Sequence, residues 1–357
     1  LNIHNLNFQG YIFNFVKIVF VGAIIKAISF YLPEKSFSNE DYFREFPDSR
    51  LNENLKKLAI ENRFIVSENE IASDLALSSA IKLFDEHQIN REEIDFIIFC
   101  AQEFDFYTPT TACTIQAKLG LRNNCGAIDV NLGCSGFVYG LNLAKGLIDS
   151  DSCKNVLLLT SSTLTKTFHP NDKSSRYLFG DGAAATLISS VNSSQSGIGK
   201  FVFGTDGSRF DKIIVRDGGA RNPINENSFI DSNDGFGNIS NNAHFFMDGI
   251  GIFNFALKTV PDLIFQTLEK NGLTMEQIDY FVLHQTNFLL NESIRKKMNI
   301  KPERMVYNIQ KIGNTVSSTI PIAIKMEQDK GKIKKDSLIV IAGFGTGLSW
   351  SATVIKI

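Results

Sequence analysis

The chain is written twice. Residues 92–101 read EEIDFIIFCA and residues 276–285 read EQIDYFVLHQ. Each follows a stretch with apolar residues at the helical period, IASDLALSSAIKLFDEHQIN in the first case and GIFNFALKTVPDLIFQTLEKNGLT in the second. Each then gives way to a short apolar run that suits a buried strand. The pairing continues downstream. Asp129-Val130 leads to Gly133-Cys134 and the helical pattern SGFVYGLNLAKGLI, while Asn308-Ile309 leads to Gly313-Asn314 and TVSSTIPIAIKM. NVLLLTSS then matches SLIVIAGFG, and GDGAAATLIS matches GLSWSATVIK, at an offset that drifts between about 165 and 184 residues. A period this long excludes a solenoid. Four segments in the same order describe a duplicated α/β domain, each half a mixed sheet with helices on its faces. The expected boundaries are residues 1–22 as an N-terminal extension, 23–195 as the first half and 196–357 as the second. Ser190 to Asn242, rich in Ser, Asn, Gly and Asp, is expected to be connection and loops. Two such halves usually pack with a site between them.

Composition narrows the function classes. A formal net charge of -2 excludes a nucleic-acid binder driven by bulk charge. The five cysteines, Cys100, Cys113, Cys125, Cys134 and Cys153, show no C-x-x-C spacing and no histidine at zinc-finger distance. A disulfide framework or metal site is therefore not expected, no cofactor is called for, and a reducing, cytoplasmic setting fits. Tyr11 to Leu32 is apolar enough to be scored as a signal anchor. Two lysines interrupt it and no small-residue cleavage site follows, so Ala23 to Phe30 is expected to be a strand.

The repeat places different reactive residues at equivalent points. Cys134 and Asn314 occupy matching Gly-X turns before helices, and His284 stands where the first half has Cys100. Duplication with divergence would gather Cys134, His284 and Asn314 near one pseudo-twofold axis. A thiol at a helix N-terminus is expected to have a lowered pKa. Its thiolate would attack a thioester carbonyl and form an acyl-enzyme. A neutral histidine and an asparagine amide would donate to a second thioester oxygen, stabilising the enolate left when a malonyl group loses carbon dioxide.

On these residues the sequence resembles β-ketoacyl-acyl-carrier-protein synthase III. NLGCSGF at 131–137, HQTN at 284–287 and GNTVSST at 313–319 look like that family's three catalytic motifs, with the order Cys, His, Asn and 30 residues from His284 to Asn314. LFGDGAAA at 178–185, GFGTGLSW at 343–350 and the early FYLPEKSFSNEDY are also similar, so the resemblance runs from about Ala23 to Ile357. It implies a thiolase fold, with duplicated halves in a five-layer α-β-α-β-α arrangement, assembled as a homodimer. It implies Cys134 as nucleophile, and His284 and Asn314 as the oxyanion hole for decarboxylation. The N–H of Cys134 and one from the Gly345, Thr346, Gly347 loop would hold the acyl-enzyme oxygen. Partners would be an acyl carrier protein, an acyl-CoA or acyl-carrier-protein starter, and a malonyl thioester.

The same resemblance gives Asn287 a role in holding the pantetheine arm, and Lys173 a place near coenzyme phosphates. Arg295, Lys296 and Lys297 would meet the acidic carrier protein, although a solvated helix face is the ordinary reading of such a run. Thr108, before Pro109, would limit the acyl channel from across a dimer, where the family often has a bulkier residue. Asp181 is expected to be a supporting turn residue. Cys113, His4, His87, His169 and His244 carry no motif. Departures are concentrated upstream and in the last loop. Glu53 and Lys57 stand where the family has an adenine-stacking aromatic and an arginine, which favours a starter delivered on a carrier protein. Leu58-Ala59-Ile60-Glu61-Asn62-Arg63 replaces Thr-Gly-Ile-x-x-Arg. Thr346 replaces a glycine; if its N–H is an oxyanion donor, its side chain must point away. Two alternatives stand beside condensation: an acyltransferase of the same fold that does not condense, and an idle carrier-binding subunit. The intact Cys-His-Asn set argues against both.

Overall fold

A computed structural model describes residues 21–47, 56–192, 194, 196–233 and 238–357. Glu53 and nearly all of the expected extension lie outside the described residues. Two sheets form the frame. The first holds β1 (Val21–Tyr31), β2 (Phe96–Ala101), β3 (Gly126–Asn131), β4 (Asn155–Ser162) and β5 (Gly182–Asn192), in the order β1-β5-β4-β2-β3. The second holds β6 (Val202–Thr205), β7 (Tyr280–Leu283), β8 (Leu338–Gly345) and β9 (Ser349–Lys356), in the order β7-β8-β9-β6.

The strand directions repeat as the sequence does. β2 runs parallel to β4, and β4 antiparallel to β5; β7 runs parallel to β8, and β8 antiparallel to β9. The second sheet lacks a full counterpart of β3. A single parallel bridge between Phe281 and Met305 stands in its place. The apolar N-terminal run is strand where it is described: β1 pairs with β5 from Val21↔Asn192 to Tyr31↔Ala183. No helix among the described residues is long and apolar enough to cross a membrane.

Helices make the other three layers. α1 (Ala72–His87) and α2 (Thr111–Lys118) cover the outer face of the first sheet. α3 (Gly136–Asp149) lies between the sheets together with a later helix, while α4 (Gly249–Asn271) and α5 (Phe288–Lys297) cover the outer face of the second. α6 (Thr319–Asp329) is the second central helix. This is the five-layer thiolase arrangement. The central helices are apolar on more than one side for that reason. Phe137, Val138 and Leu141 of α3 and Ile320, Ala323 and Ile324 of α6 share one core with Val156, Leu158, Ile339 and Ile341 of the two sheets. Each such buried side chain contributes about 1.5–3 kcal/mol of apolar transfer.

Two local expectations need correction. Ser190 to Asn242 is not only connection and loops. β5 runs on to Asn192, β6 is an edge strand of the second sheet, and Ile213–Val215 pairs with Phe245–Met247. These strands are short and half exposed, so polar neighbours masked their β-branched pattern. The segment after Asn314 does not enter a helix at once. Val316–Ser318 forms a 3-10 turn with Val316 at φ 54°, and α6 begins at Thr319.

Candidate active site between the two halves

Cys134, His284 and Asn314 line one cavity of about 320 Å³. Leu58, Ile250, Phe253 and Leu289 give it apolar walls, and Asn287 and Gly345 also border it. Each reactive residue sits at the end of a core element. Cys134 follows β3 on a tight turn, where the N–H of Gly136 bonds to the carbonyl of Gly133 (2.8 Å), just before α3. His284 ends β7, and Asn314 precedes the turn into α6. Serines of that turn tie the halves together. Ser317 Oγ donates to the carbonyl of Ser161 (3.3 Å), and Ser318 Oγ to that of Gly182 (3.3 Å). Asn314 is itself held by the first half, its N–H on the carbonyl of Leu178 (3.0 Å).

The last loop comes close to Cys134. A Cβ on Gly345 would lie 2.7 Å from both Cβ and Sγ of Cys134, and one on Gly343 would lie 2.9 Å from the Cys134 carbonyl oxygen. Only hydrogen at these positions lets β8 pass the Cys134 turn. Ser135 and Ser349 lock the approach through their hydroxyls at 2.7 Å. Backbone and side-chain polar groups of Thr346 stand close enough to the Cys134 thiol to favour its thiolate.

The expected low pKa of Cys134 is also corrected. Burial pushes the thiol up to about 11, with the contacts to Thr346 opposing that rise only in part. A helix N-terminus is worth at most about 2 kcal/mol, or roughly 1.5 units at 1.36 kcal/mol per unit, which still leaves the thiol above neutrality. Burial likewise pushes His284 down to about 3, so its ring is neutral. The sign follows directly: thiolate gains with rising pH, and no imidazolium forms between pH 5 and 8. Alkylation of Cys134 by iodoacetamide should therefore accelerate about tenfold per pH unit from pH 7 to 10, with no inflection near pH 6. A plateau beginning near pH 6–7 in the rate profile would mean a thiolate–imidazolium pair instead.

His284 is oriented by a residue that sequence reasoning missed. Its Nδ1 lies 2.7 Å from the Thr319 hydroxyl, while Nε2 is buried without a partner among the described residues. The edge of Phe344 packs against the ring, with centroids 5.8 Å apart. Thr319 closes GNTVSST, so its place in a motif was the only available signal. Asn314 Oδ1 accepts the N–H of Val316 (2.9 Å), which turns the amide Nδ2 away from that bond as a free donor. Asn287 caps α5 by accepting the N–H of Leu290 (2.9 Å) and still borders the cavity.

Other expected positions fall away from this centre. Thr108 is exposed on a loop and borders neither this cavity nor a second one described next. Lys173 begins a short helix, Lys173–Leu178, and is not on the cavity wall. Arg295 does not present its charge outward. It bonds Glu292 twice at 2.7 Å; Lys296 and Lys297 are the exposed cations of the run, Lys296 lying 3.6 Å from Glu292 and Lys297 reaching the carbonyl of Leu257 (2.9 Å). Arg63 is fully buried among the rings of Phe37, Tyr42 and Tyr177. Asp181 supports the frame, its carboxylate accepting from Val66 N (3.0 Å) and Thr165 N (3.2 Å). All five cysteines are free thiols. Among the described residues no group of three His, Cys, Asp or Glu side chains could hold a metal ion.

A second cavity of about 260 Å³ lies beside the first. Thr346, next to Gly345, is on its wall, and Ile213 borders both chambers. Cys134, on the wall of the first, thus stands near the place where the two chambers meet.

Known proteins share this plan. The family model for 3-oxoacyl-[acyl-carrier-protein] synthase III matches residues 128–207, and that for its C-terminal part matches residues 268–357. A β-ketoacyl-[acyl-carrier-protein] synthase III 2 of Staphylococcus epidermidis is 36% identical over 94% of this chain and 98% of its own. A synthase III of Caldanaerobacter subterraneus is 33% identical, over 94% and 98% respectively. A crystal structure of a 3-oxoacyl-(acyl-carrier-protein) synthase III superposes with a TM-score of 0.92 at 40% identity, covering 94% of this chain and all of its own.

Proposed function

The chain belongs to the 3-oxoacyl-[acyl-carrier-protein] synthase III family, and from that premise we propose that Cys134, His284 and Asn314 carry its condensation. The enzyme is a condensing transferase that joins an acyl starter to a malonyl thioester. The single observation that supports this choice of residues is their convergence on one cavity wall from positions far apart in the chain.

The chemistry runs in two stages. Cys134 gives up its proton and its sulfur attacks the starter thioester. The carbon–sulfur bond to the donor breaks, and the donor thiol leaves with that proton. The Cys134 thiol, held near pKa 11, reacts through its minor thiolate fraction, and its proton passes through water to the departing donor, because His284 is held too weak a base to keep it. The malonyl thioester then enters. Its carboxylate leaves as carbon dioxide, the electron pair moves to the thioester enolate, and the enolate carbon attacks the Cys134 acyl group. Cys134 leaves as thiolate and regains a proton.

The enolate oxygen would take hydrogen bonds from Asn314 Nδ2 and His284 Nε2–H. Thr319 governs the second donor. Its hydroxyl lies 2.7 Å from Nδ1 and 3.1 Å from the Val316 carbonyl oxygen, and has one proton to give. Given to Nδ1, it leaves the ring proton on Nε2, facing the cavity. Given to Val316, it leaves Nε2 as an acceptor, the form that would lose this donor to the enolate. The backbone N–H groups of Cys134 and of the Gly345–Gly347 loop would hold the acyl-enzyme oxygen. The apolar first chamber, bordered by Asn287, would take the pantetheine arm, and the second the starter's acyl chain. Lys296 and Lys297, the exposed cations at the end of α5, would meet the carrier protein, and the enzyme would act as a homodimer in the cytoplasm.

Intact-mass spectrometry tests the assignment. Incubation with acyl thioesters, as coenzyme A and carrier-protein forms, should add one acyl group, mapped to Cys134. Later addition of malonyl-carrier protein should remove it as β-ketoacyl product. A stable adduct with no β-keto product would identify a non-condensing transferase, and an adduct elsewhere would remove Cys134 from the role.

A further inference from the structure

The second chamber differs from the first in the groups on its wall. Beside Leu164 and Phe245 it carries Gln102, Glu103 and Thr167. Glu103 comes from the loop that follows β2, on the same strand end as Cys100. Its Oε1 accepts from Ser162 Oγ at 3.3 Å, while Oε2 is shut away from solvent with no hydrogen-bond partner. No described Lys, Arg or His forms a salt bridge with it. The backbone N–H groups of Gln102 and Glu103 also favour the carboxylate, so the capacity left over is at Oε2.

Its neighbour does not share the problem. Asp181 also lies buried nearby, but its oxygens accept from Val66 N, Thr165 N and the Thr165 hydroxyl. The contrast isolates Glu103 as the group with capacity left over. Burial, with the Asp181 charge as a smaller cause, holds its carboxyl up at about 7. Both protonation states lack something. A carboxylate there wants a donor or a cation, and the acid form still offers acceptor oxygens. An alkyl chain filling the chamber would keep water from the carboxyl and return nothing. A chain bearing a donor would complete it.

We propose that Glu103 is a specificity-determining residue that selects a short starter acyl group bearing a hydrogen-bond donor, a hydroxyl or an amino group. This rests on the assignment of the second chamber to the acyl chain of acyl-Cys134. Gln102 adds a second polar contact on the same wall. Glu103 itself takes no part in bond making, which stays with the first chamber.

The test compares isosteric pairs as thioesters of coenzyme A and of carrier protein: butyryl against 3-hydroxybutyryl, and propionyl against 3-aminopropionyl. In the unaltered enzyme at least one polar member should exceed its alkyl partner about tenfold or more in kcat/KM. Glu103→Leu should reverse that order towards the alkyl starters. Glu103→Gln, which keeps the volume and an acceptor oxygen, should keep a hydroxyl preference and lose an amino preference. Equal use of alkyl and polar starters by the unaltered enzyme, or a polar preference that survives Glu103→Leu, overturns the proposal. Intact mass separates the two assumptions. Acylation of Cys134 without polar preference defeats the role of Glu103 alone. No acylation of Cys134 from any donor defeats the nucleophile assignment, and this proposal with it.

Discussion

An Asn314→Ala enzyme should still load an acyl group on Cys134, yet release carbon dioxide from malonyl-carrier protein about 100- to 1000-fold more slowly. The loss follows from what the amide does twice. Its Oδ1 holds the N–H of Val316 at 2.9 Å, and that bond leaves Nδ2 as a donor for the enolate oxygen. Alanine removes both. Val316 is a β-branched residue at φ 54°, a conformation that costs about 1–3 kcal/mol unless its surroundings hold it. Some loss of thermal stability should accompany the alanine change for that reason. Asn314→Asp separates the two duties. It keeps an oxygen for Val316 N, but sets an acceptor where the developing negative charge needs a donor. It should hold Tm closer to that of the unaltered protein while losing decarboxylation as severely. Acylation is read by intact mass and decarboxylation by release of labelled carbon dioxide. Loss of acylation in Asn314→Asp would show that the residue belongs to the first stage.

Gly345→Ala should reduce kcat/KM by about 100-fold or more through displacement of the nucleophile. The added methyl would stand 2.7 Å from Sγ and Cβ of Cys134, closer than real Cβ contacts permit. Neither side yields easily. Gly345 closes β8, paired with Ser349 of β9, and Ser349 is fixed by Ser135 and by the carbonyl of Thr346 (2.8 Å). Cys134 is held by its turn before α3. Overpacking of this kind typically costs about 1–3 kcal/mol in stability, so the variant should fold with a lowered Tm and a misplaced thiol. Iodoacetamide labelling at fixed pH reads the thiol directly. A variant that labels and turns over as the unaltered enzyme does would mean that β8 can retreat, and that the close approach is not required.

The fold was legible because duplication made each half a witness for the other. EEIDFIIFCA and EQIDYFVLHQ named two equivalent strands, and the turns at Cys134 and Asn314 named two equivalent helix entries. Pairing them placed three distant residues together without long-range information. What stayed hidden was set by contacts that leave no period in sequence. β6 and Ile213–Val215 are too short and too exposed to show alternation. The thiol's environment depends on how much water the packed halves exclude, which no local pattern records, so the helix-entry argument gave the wrong direction. Glu103 belongs to no motif, and its surroundings are set by a chamber built from five separate stretches of chain. Arg295 looked available because charge runs are legible and the fork that binds it to Glu292 is not.

The matched central helices also bear on how such a site can be unequal. α3 and α6 play the same part on the two sides of a pseudo-twofold axis, and each is entered by a turn whose first reactive position is Cys134 in one and Asn314 in the other. Two identical halves associating as separate chains would have to place the same residue at both turns. They would have two thiols or two amides, never one of each. Joining the halves in one polypeptide frees every symmetry-related pair to differ. An electrophile-seeking sulfur can then face a proton-giving amide across an axis that the backbone still obeys.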